Sequence, residues 1–276
     1  MPKVSIILPT HNGSAWISRA VNSVLAQSFS DWELIVVDDG SDDDVGGIVK
    51  RFVEKDTRVK YLRNERNIGI SESLNRGIKI AKGEYIARID DDDEWVYADK
   101  LTEQMNFLKE NPDCILLGTN IVAVDETGKE IGRYSFPKSD AEIRNKLLRV
   151  NCFAHSSVVF KRDAVVRAGG YSTSVGLAED YDLWAKLGAF GKFANIDCYC
   201  VRYTIRKTSG SFAARKKFAL FGIQLAKKYK NDYPNYRLAI ILRYLGLLKY
   251  WFLNFLPFSL RLMLTRLKYW IKSKSK

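Results

Sequence analysis

The sequence predicts an α/β fold in which a mostly parallel sheet is flanked by helices and followed by a basic, apolar helical tail. Short apolar runs of strand length alternate with helical patterns over the first hundred residues, which is typical of βαβ units. The 276 residues, 46% of them hydrophobic, suffice for one large domain or for one domain with an appendage.

The first hundred residues contain four predicted strands separated by three helical patterns. The strands are Val4–Leu8, Glu33–Val37, Val59–Leu62 and Tyr85–Ile89, and the helices are Ala15–Gln27, Val45–Glu54 and Ser71–Ala81. Open sheets of this kind bind ligands beyond the carboxyl ends of their strands. We therefore expect a ligand near Pro9–Asn12, Asp38–Ser41 and Asp90–Asp93.

The next hundred residues continue the mixture of strands and helices. Ser139 is predicted to cap a helix, because Glu142 stands three residues later as in a capping box. The predicted helices are Lys100–Lys109, Ser139–Val150 and Ala178–Phe190, and the predicted strands are Cys114–Val124, Ile131–Phe136, Ser156–Phe160 and Phe193–Thr204.

The charge of the chain is concentrated in its last part. Residues 212–276 contain 15 basic side chains and a single acidic one, Asp232, while the whole chain carries a net charge of +12. We therefore predict two units, 1–211 and 212–276. Because the first unit is nearly neutral, the sequence argues against nucleic acid as a partner.

The tail is predicted to associate with a membrane. Its longest uncharged run, Tyr250–Leu260, has 11 residues, which is too short to span a bilayer. A span through Tyr244–Leu260, with Lys249 inside it, remains the alternative. The last helical pattern has one polar face and one apolar face, as interfacial helices do; the polar face is Arg261, Thr265, Lys268 and Lys272, and the apolar face is Met263, Leu264, Leu267, Trp270 and Ile271.

The beginning of the chain and its cysteines favour the cytosol. Val4–Leu8 follows Met1 closely and lacks the long apolar segment of a secretory signal. The four cysteines form no Cys-x-x-Cys pair and are expected to be reduced; they are Cys114, Cys152, Cys198 and Cys200. The expected location is the cytoplasm, with the tail on the inner face of the cell membrane.

Four consecutive aspartates, Asp90–Asp93, follow the fourth predicted strand. On an extended segment Asp90 and Asp92 share one face and could hold a divalent cation with hard oxygen ligands. A cation with so few protein ligands usually completes its shell with water and substrate phosphates, which indicates diphosphate binding. The alternative is a solvated acidic turn before the next helix.

The other strand ends carry candidate nucleotide-binding groups. Asp38 and Asp39 could accept hydrogen bonds from a nucleobase or a ribose, or else form an acidic cap of the following helix. The loop Pro9–Gly13 could frame a planar base with backbone groups and the Thr10 hydroxyl.

Two further segments have both a functional and a structural interpretation. Arg63, upstream of Asn67 and Gly69, could offset the charge of a diphosphate, or belong to a solvated basic loop. Glu179 and Asp180 precede a predicted helix, where one of them could accept a proton from an attacking hydroxyl or simply complement the helix N-terminus. Spacing alone does not decide between these interpretations.

Together these motifs resemble the inverting family-2 glycosyltransferases of the glycosyltransferase-A fold, of the non-processive type that builds bacterial cell-surface polysaccharides. The resemblance extends from about Val4 to Tyr203 through an ordered series of segments. They are Val4–Asn12, Val36–Ser41, Asn67–Gly69, Asn75–Gly77, Ala87–Asp93, His155–Val158, Gly169–Tyr171 and Glu179–Trp184.

The resemblance implies a role for each segment. Asp180 becomes the catalytic base with Glu179 beside it, and Asp90 and Asp92 would hold Mn²⁺ or Mg²⁺. The implied substrates are a nucleoside-diphosphate sugar and a hydroxyl of a glycan, which the basic tail suggests is lipid-linked. The implied nucleotide-binding residues are Pro9, Thr10, Asn12, Asp38, Asp39, Arg63, Asn67, Gly69 and Asp91.

The chain departs from the family pattern at two points. Family members often end this region with Tyr-Arg-x-His, whose His can join the metal, whereas Arg206 stands there in the segment Tyr203–Arg206. Arg206 is instead a candidate phosphate contact. The Gln-x-x-Arg-Trp element of processive relatives is absent from the sequence, which implies addition of a single sugar.

Two alternative functions belong to other classes. A nucleotidylyltransferase would need a Gly-rich phosphate loop with a basic residue after the first strand, and Pro9–Gly13 lacks one. A non-enzymatic, basic membrane-binding module would explain the tail alone. A dinucleotide-binding dehydrogenase is disfavoured, because no Gly-x-Gly-x-x-Gly follows the first strand.

Overall fold

The computed structural model describes residues 1–206 and 215–255. These residues form nine strands and nine α-helices. The strands are β1 (Val4–Thr10), β2 (Trp32–Asp38), β3 (Val59–Arg63), β4 (Tyr85–Arg88), β5 (Glu94–Trp95), β6 (Cys114–Val124), β7 (Glu130–Tyr134), β8 (Val159–Lys161) and β9 (Lys192–Thr204). The helices are α1 (Ile17–Leu25), α2 (Val45–Lys55), α3 (Ile70–Ile80), α4 (Lys100–Glu110), α5 (Asp140–Leu147), α6 (Arg162–Arg167), α7 (Glu179–Leu187), α8 (Arg215–Lys228) and α9 (Tyr236–Phe255).

All nine strands belong to one sheet with the order β3-β2-β1-β4-β8-β6-β9-β5, and β7 pairs with β6. The first four strands are parallel to one another, and β6 and β9 form a second, long parallel pair. The antiparallel strand β8 joins these two parts. The predicted α/β fold with a mostly parallel sheet is confirmed.

Helices cover both faces of the sheet. In β1, Ile6 and Leu8 pack in a core with α1, α2 and α4, whereas Ile7 packs on the opposite side with α3 and the helices that follow β7. Burial on both faces explains why β1 and β2 read as nearly continuous apolar runs in the sequence.

Most predicted elements occur within a few residues of their expected bounds, and the capping box of Ser139 and Glu142 at α5 is confirmed. The predicted strand Ser156–Phe160 differs, because His155–Ser157 forms a 3₁₀ turn before β8. No sequence pattern predicted α6 or β5. Both are short, and β5 exists because its two residues pair with β9.

The first two helices after the predicted boundary pack on the body of the protein. Leu225 and Ala226 of α8, Tyr233 of the connection and Ala239 of α9 belong to the same core as α7. The boundary between 211 and 212 lies outside the described residues, so the two-unit division remains a prediction. The amphipathic pattern at 261–272 also lies outside them.

Within the described part of the chain, no helix is both long enough and apolar enough to cross a membrane. The alternative span through Tyr244–Leu260 extends beyond the described residues.

Candidate active site

The carboxyl ends of β1, β2 and β4 bring three polar loops together at one edge of the sheet. The Thr10 hydroxyl donates a hydrogen bond to Asp91 Oδ2 at 2.6 Å. The Asp39 amide donates to the Thr10 carbonyl at 2.8 Å. The predicted meeting of these three strand ends is therefore present in the structure.

A cavity of about 300 Å³ opens at this edge. Six of the predicted nucleotide-binding residues line it, together with His11, Ile70, Ser73 and Arg206 and the two predicted metal ligands. The six are Pro9, Thr10, Asp39, Asn67, Gly69 and Asp91, and the two ligands are Asp90 and Asp92.

Asp39 is held in this cavity by several donors. Its Oδ1 accepts hydrogen bonds from Asn64 Nδ2 at 2.7 Å and from the Ile68 amide at 2.9 Å, and its Oδ2 accepts from the Gly69 amide at 2.9 Å. Burial acts to raise the pKa of Asp39, but these donors outweigh it and lower the pKa. The Asp39 carboxylate is thus kept ionised, and its orientation in the cavity is fixed.

The other three predicted nucleotide-binding residues lie outside the lining of this cavity. Asp38 Oδ1 accepts from the Ser41 amide at 2.8 Å, and Arg63 Nη1 lies 3.5 Å from Asp38 Oδ2. The Asn12 amide donates to Ser41 Oγ at 3.0 Å. Asn12 therefore joins the β1 and β2 loops, while Asp38 braces the β2 loop and pairs with Arg63 of β3.

The four aspartates form a turn, not the extended segment on which their alternation was predicted. The Asp93 amide donates to the Asp90 carbonyl at 3.2 Å, which closes the turn. Asp90 and Asp92 nevertheless line both the 300 Å³ cavity and a larger neighbouring one. The side chains of Asp90 and Asp92 thus face the same cavities because of the turn and the contacts that hold it, and not because of strand geometry.

The two predicted metal ligands have different electrostatic environments. Asp90 lies beside the fully buried Arg88, whose Nη2 is 2.5 Å from Asp90 Oδ1. Burial acts to raise the pKa of Asp90, but the charge of Arg88 and the smaller effects of other groups, including hydrogen bonds from Arg88 and Ser156, together outweigh it and lower that pKa. Burial and the charges of Asp90 and Asp91 raise the pKa of Asp92 to about 7, and Arg206 Nε lies 2.6 Å from its Oδ2.

Buried contacts anchor the aspartate turn to the end of β9. Asp93 accepts a hydrogen bond from the Thr204 amide at 2.8 Å, and burial followed by the charges of Asp92 and Asp90 raises its pKa well above the usual range. Arg19 of α1 donates to the Asp92 carbonyl at 2.8 Å. The sequence predicted neither contact, because Arg19 belongs to no motif and the segment Ala87–Asp93 assigns no role to Arg88.

The aspartate turn suits a cation held by few protein ligands. Among the described residues no group of three or more His, Cys, Asp and Glu side chains forms a ligand cluster. Asp90 and Asp92 offer hard oxygen donors, and the accumulated negative charge that raises the pKa of Asp92 would favour a cation beside them. Such a pair, completed by substrate phosphates, is the usual arrangement for Mg²⁺.

Asp180 stands at the N-terminus of α7 and faces the larger cavity. Its Oδ2 accepts a hydrogen bond from Asn151 Nδ2 at 2.8 Å, and its Oδ1 accepts from the Tyr181 amide at 2.6 Å. Burial raises the pKa of Asp180 to about 6. A carboxylate with that pKa is ionised at neutral pH and is a stronger base than an ordinary aspartate.

Glu179 is more deeply buried than Asp180. Burial and the neighbouring Asp180 charge raise its pKa to about 8. His155 Nδ1 lies 4.0 Å from Glu179 Oε1, and the other ring nitrogen of His155 is 2.8 Å from the Tyr171 hydroxyl. Burial and Arg88 lower the pKa of His155 well below its usual range, so the ring is neutral.

The larger cavity has a volume of about 670 Å³ and lies between the sheet edge, α7 and the C-terminal helices. Its lining contains the two predicted metal ligands and the two predicted catalytic residues. They are Asp90 and Asp92, and Glu179 and Asp180, respectively. Residues of the two C-terminal helices complete its wall, although the sequence suggested for them only a role in the tail. They are Phe218 and Ala219 of α8 and Arg243 of α9.

The chain matches known proteins in sequence. The family model described as glycosyl transferase family 2 matches residues 5–168. The O-antigen biosynthesis glycosyltransferase WbnJ of Escherichia coli is 33% identical over 67% of this chain and 71% of its own length. The Escherichia coli enzyme named UDP-Glc:alpha-D-GlcNAc-diphosphoundecaprenol beta-1,3-glucosyltransferase WfgD is 32% identical over 75% of this chain and 78% of its own. Other curated relatives are longer, and the chain spans 35–37% of their length.

Solved structures have the same fold. Staphylococcus aureus TarS 1-349 in complex with UDP-GlcNAc gives a TM-score of 0.69 at 21% identity, over 83% of this chain and 67% of that one. The mannosyltransferase PcManGT of Pyrobaculum calidifontis, in complex with GDP-Man and Mn²⁺, gives 0.62 at 23% identity, over 88% and 68%. The predicted membership of the family-2 glycosyltransferases and the predicted glycosyltransferase-A fold are thereby confirmed. Since the family model covers more than half of its residues, this chain belongs to glycosyltransferase family 2.

Proposed function

We propose that this glycosyltransferase moves one sugar from a nucleoside-diphosphate sugar to a hydroxyl of a lipid-linked glycan, with inversion at the anomeric carbon, in surface-polysaccharide biosynthesis. One observation carries the proposal: the aspartate turn and Asp180, with its pKa raised to about 6, line the same 670 Å³ cavity. The same cavity thus offers the aspartate turn for a leaving diphosphate and the Asp180 carboxylate for an attacking hydroxyl.

The donor nucleotide would occupy the 300 Å³ cavity. The fixed and ionised Asp39 can accept hydrogen bonds from a base or a ribose there, beside Thr10 and the loop of Asn67 and Gly69. Asp90 and Asp92 line both cavities, so the diphosphate would lie where the two meet. Asn12, Asp38 and Arg63 would act by shaping this pocket.

The acceptor hydroxyl would lose its proton to Asp180. The hydroxyl oxygen then attacks the anomeric carbon from the side opposite the bond to the diphosphate, that bond breaks, and the configuration inverts. Asn151 and the Tyr181 amide keep the Asp180 carboxylate directed as the proton arrives. Glu179, with its pKa near 8, would remain mostly neutral below that pH and so leave the negative charge on Asp180.

Asp90 and Asp92 would hold Mn²⁺ or Mg²⁺. When bound, the ion supplies positive charge that offsets the charge developing on the departing diphosphate. PcManGT, which has the same fold, binds GDP-Man together with Mn²⁺, and this supports the assignment. Arg206, beside Asp92, adds a second positive group at the same place.

Two observations support a lipid-linked acceptor and a peripheral location on the inner face of the cell membrane. The name of WfgD specifies a diphosphoundecaprenol-linked acceptor for that enzyme. In this protein α9 exposes apolar side chains at i, i+3, i+4, i+7 and i+10, a single stripe suited to a membrane surface; they are Leu238, Ile241, Leu242, Leu245 and Leu248. Each Lys or Arg near an anionic leaflet adds about 1 kcal/mol.

The alternatives from other classes lose support. Family membership argues against both a nucleotidylyltransferase and a non-enzymatic membrane-binding module. The nearly neutral body still argues against nucleic acid as a partner.

Thermal stability against a panel of nucleoside diphosphates and their sugars, with and without Mn²⁺, tests the proposal. One nucleotide series should raise the melting temperature only with Mn²⁺. At a ligand concentration of a hundred times Kd, binding should increase the free energy of unfolding by roughly 3 kcal/mol. Asp92→Ala should abolish that shift, whereas the exposed control Asp163→Ala should retain it. A folded wild-type sample that shifts with none of the nucleotides would refute the donor assignment.

A further inference from the structure

The part of the larger cavity formed by the C-terminal helices contains two arginines that the proposed reaction does not use. Arg149 follows α5, and Arg243 lies on the face of α9 that packs against the body. Neither takes part in an ion pair with any of the residues that the structure describes. Their positive charge is therefore not balanced locally by a carboxylate.

Neutral groups hold Arg243 in place. Its Nε donates to the Leu148 carbonyl at 2.6 Å and its Nη2 donates to the Tyr181 hydroxyl at 2.6 Å. Gly222 of α8 allows the guanidinium to approach, since a Cβ there would lie 1.6 Å from Arg243 Nη1. The guanidinium is thus positioned by contacts that leave its charge unneutralised.

Each arginine is linked to the proposed base through a residue that neighbours or contacts Asp180. Tyr181, the partner of Arg243, directly follows Asp180. Arg149 stands two residues before Asn151, whose side chain donates to Asp180, and two residues span at most about 7 Å. An acceptor whose hydroxyl reaches Asp180 would therefore extend toward the two guanidinium groups.

The cavity consequently has carboxyl groups at one part of its wall and arginines at another. Guanidinium groups match the geometry of phosphate oxygens and bind them in bidentate fashion. Val150 and Phe218 also line the cavity and offer apolar contact beside the arginines. This pattern suits an acceptor sugar attached to a phosphate.

We propose that Arg149 and Arg243 bind a phosphate group of the acceptor while its sugar hydroxyl faces Asp180. The inference rests on the proposed function, and it narrows the acceptor class to phosphate-linked glycans. Membrane headgroups carry the same chemical group, so the test separates a phosphate of the acceptor from a phosphate of the bilayer.

The test uses hexyl diphosphate as a short soluble probe, with calorimetric binding measured in EDTA so that the aspartate turn cannot recruit the probe through a metal. Wild-type protein should bind it, and Arg149→Gln and Arg243→Gln should each weaken binding by about tenfold or more, as expected for charged hydrogen bonds. Arg51→Gln, which removes an exposed arginine of α2, is the charge-matched control and should bind normally.

Unchanged affinity in the two cavity variants, or no binding by wild type, would overturn the phosphate site. Arg149 is exposed and its substitution should leave the fold intact, so the test does not depend on the better-anchored Arg243. Binding to vesicles with anionic lipid should be retained by both variants. Loss of vesicle binding in parallel with the probe would assign the arginines to headgroups and overturn the acceptor assignment.

The Mn²⁺-dependent nucleotide shift is measured in the same variants. If it persists while the probe affinity falls, the phosphate site stands independently of the donor site. If wild type binds the probe but shows no nucleotide shift, the proposed function fails and the arginine site remains.

Discussion

At the scale of single residues, neighbouring carboxyl groups differ because their surroundings differ. Asp180 and Glu179 are adjacent in sequence, yet Asp180 has two hydrogen-bond donors and a pKa of about 6. Glu179 is more buried, its Oε2 has no hydrogen-bond partner within the described structure, and its pKa is about 8. The pair therefore provides one charged and one neutral carboxyl at neutral pH.

Asp180→Asn should leave the Mn²⁺-dependent nucleotide shift unchanged and lower kcat by 10²-fold or more, roughly the range for a lost general base. In wild type the rate should fall as the pH drops below about 6, because protonation removes the basic form of Asp180. Steady-state kinetics from roughly 1.5 pH units below that pKa to roughly 2 units above it measures both effects. Normal turnover in the variant would exclude Asp180 as the base.

Glu179→Gln should stabilise the protein more as the pH rises. The folded pKa of about 8 exceeds the ordinary value of 4.5, so the folded state of wild type loses stability between those pH values, by about 1.4 kcal/mol for each pKa unit. Glutamine cannot ionise and escapes this loss. Urea unfolding at pH 5 and pH 8 measures the difference, with the exposed Glu110→Gln as control; an equal effect at both pH values would contradict the buried, uncharged state of Glu179.

At the scale of elements, α7 connects the proposed base with the C-terminal helices. Its N-terminus carries Asp180, and the last turn is capped from outside, because the Tyr233 hydroxyl donates to the Ala185 carbonyl at 2.8 Å. Lys228 of α8 adds an ion pair of 3.1 Å to the buried Asp182. Helices that the sequence suggested only as a membrane tail thus support the helix that carries the proposed base.

Tyr233→Phe should lower stability by about 1 kcal/mol, the usual net value of a hydrogen bond. For a chain of this size that corresponds to a fall in Tm of roughly 2–4 °C. Calorimetry of the variant beside Tyr134→Phe, whose ring is exposed on β7, measures it. An equal effect of the two substitutions would mean that the cap of α7 contributes nothing.

At the scale of the whole molecule, α9 faces two ways. Ala239 and Arg243 contact the body, while the stripe of Leu238, Ile241 and Leu245 faces away from it. Lys227 of α8 lies 5.9 Å from the ring of Tyr244, which places a cation beside the stripe. One helix would then both close the acceptor cavity and rest on the membrane.

Replacing Ile241 and Leu245 together by Glu should weaken binding to anionic vesicles by more than tenfold, because each apolar side chain contributes about 1.5–3 kcal/mol on burial. Cosedimentation with vesicles measures the change, and Ile131→Glu, an exposed substitution on β7, is the control. Nucleotide binding should persist in the double variant. Unaltered cosedimentation would show that α9 is not the membrane contact.

The sequence by itself determined the fold class and most of the candidate site. Apolar runs alternating with helical patterns specify a parallel sheet, and the ends of parallel strands meet at one edge, so Asp39 and the aspartate turn had to lie close together. The fold class and the meeting of the strand ends depend only on local periodicity and on the order of elements along the chain. Both can therefore be predicted from the sequence.

Only the tertiary structure decided which of these groups are charged and what surrounds them. The pKa of Asp92 near 7 depends on burial beside Asp90, and the placement of Arg243 depends on a contact with Tyr181, 62 residues away. Likewise, the contacts of Asn12, Asp38 and Arg63 place these three residues outside the lining of the 300 Å³ cavity. Burial and long-range contacts arise from packing of the whole chain, and no local pattern records them.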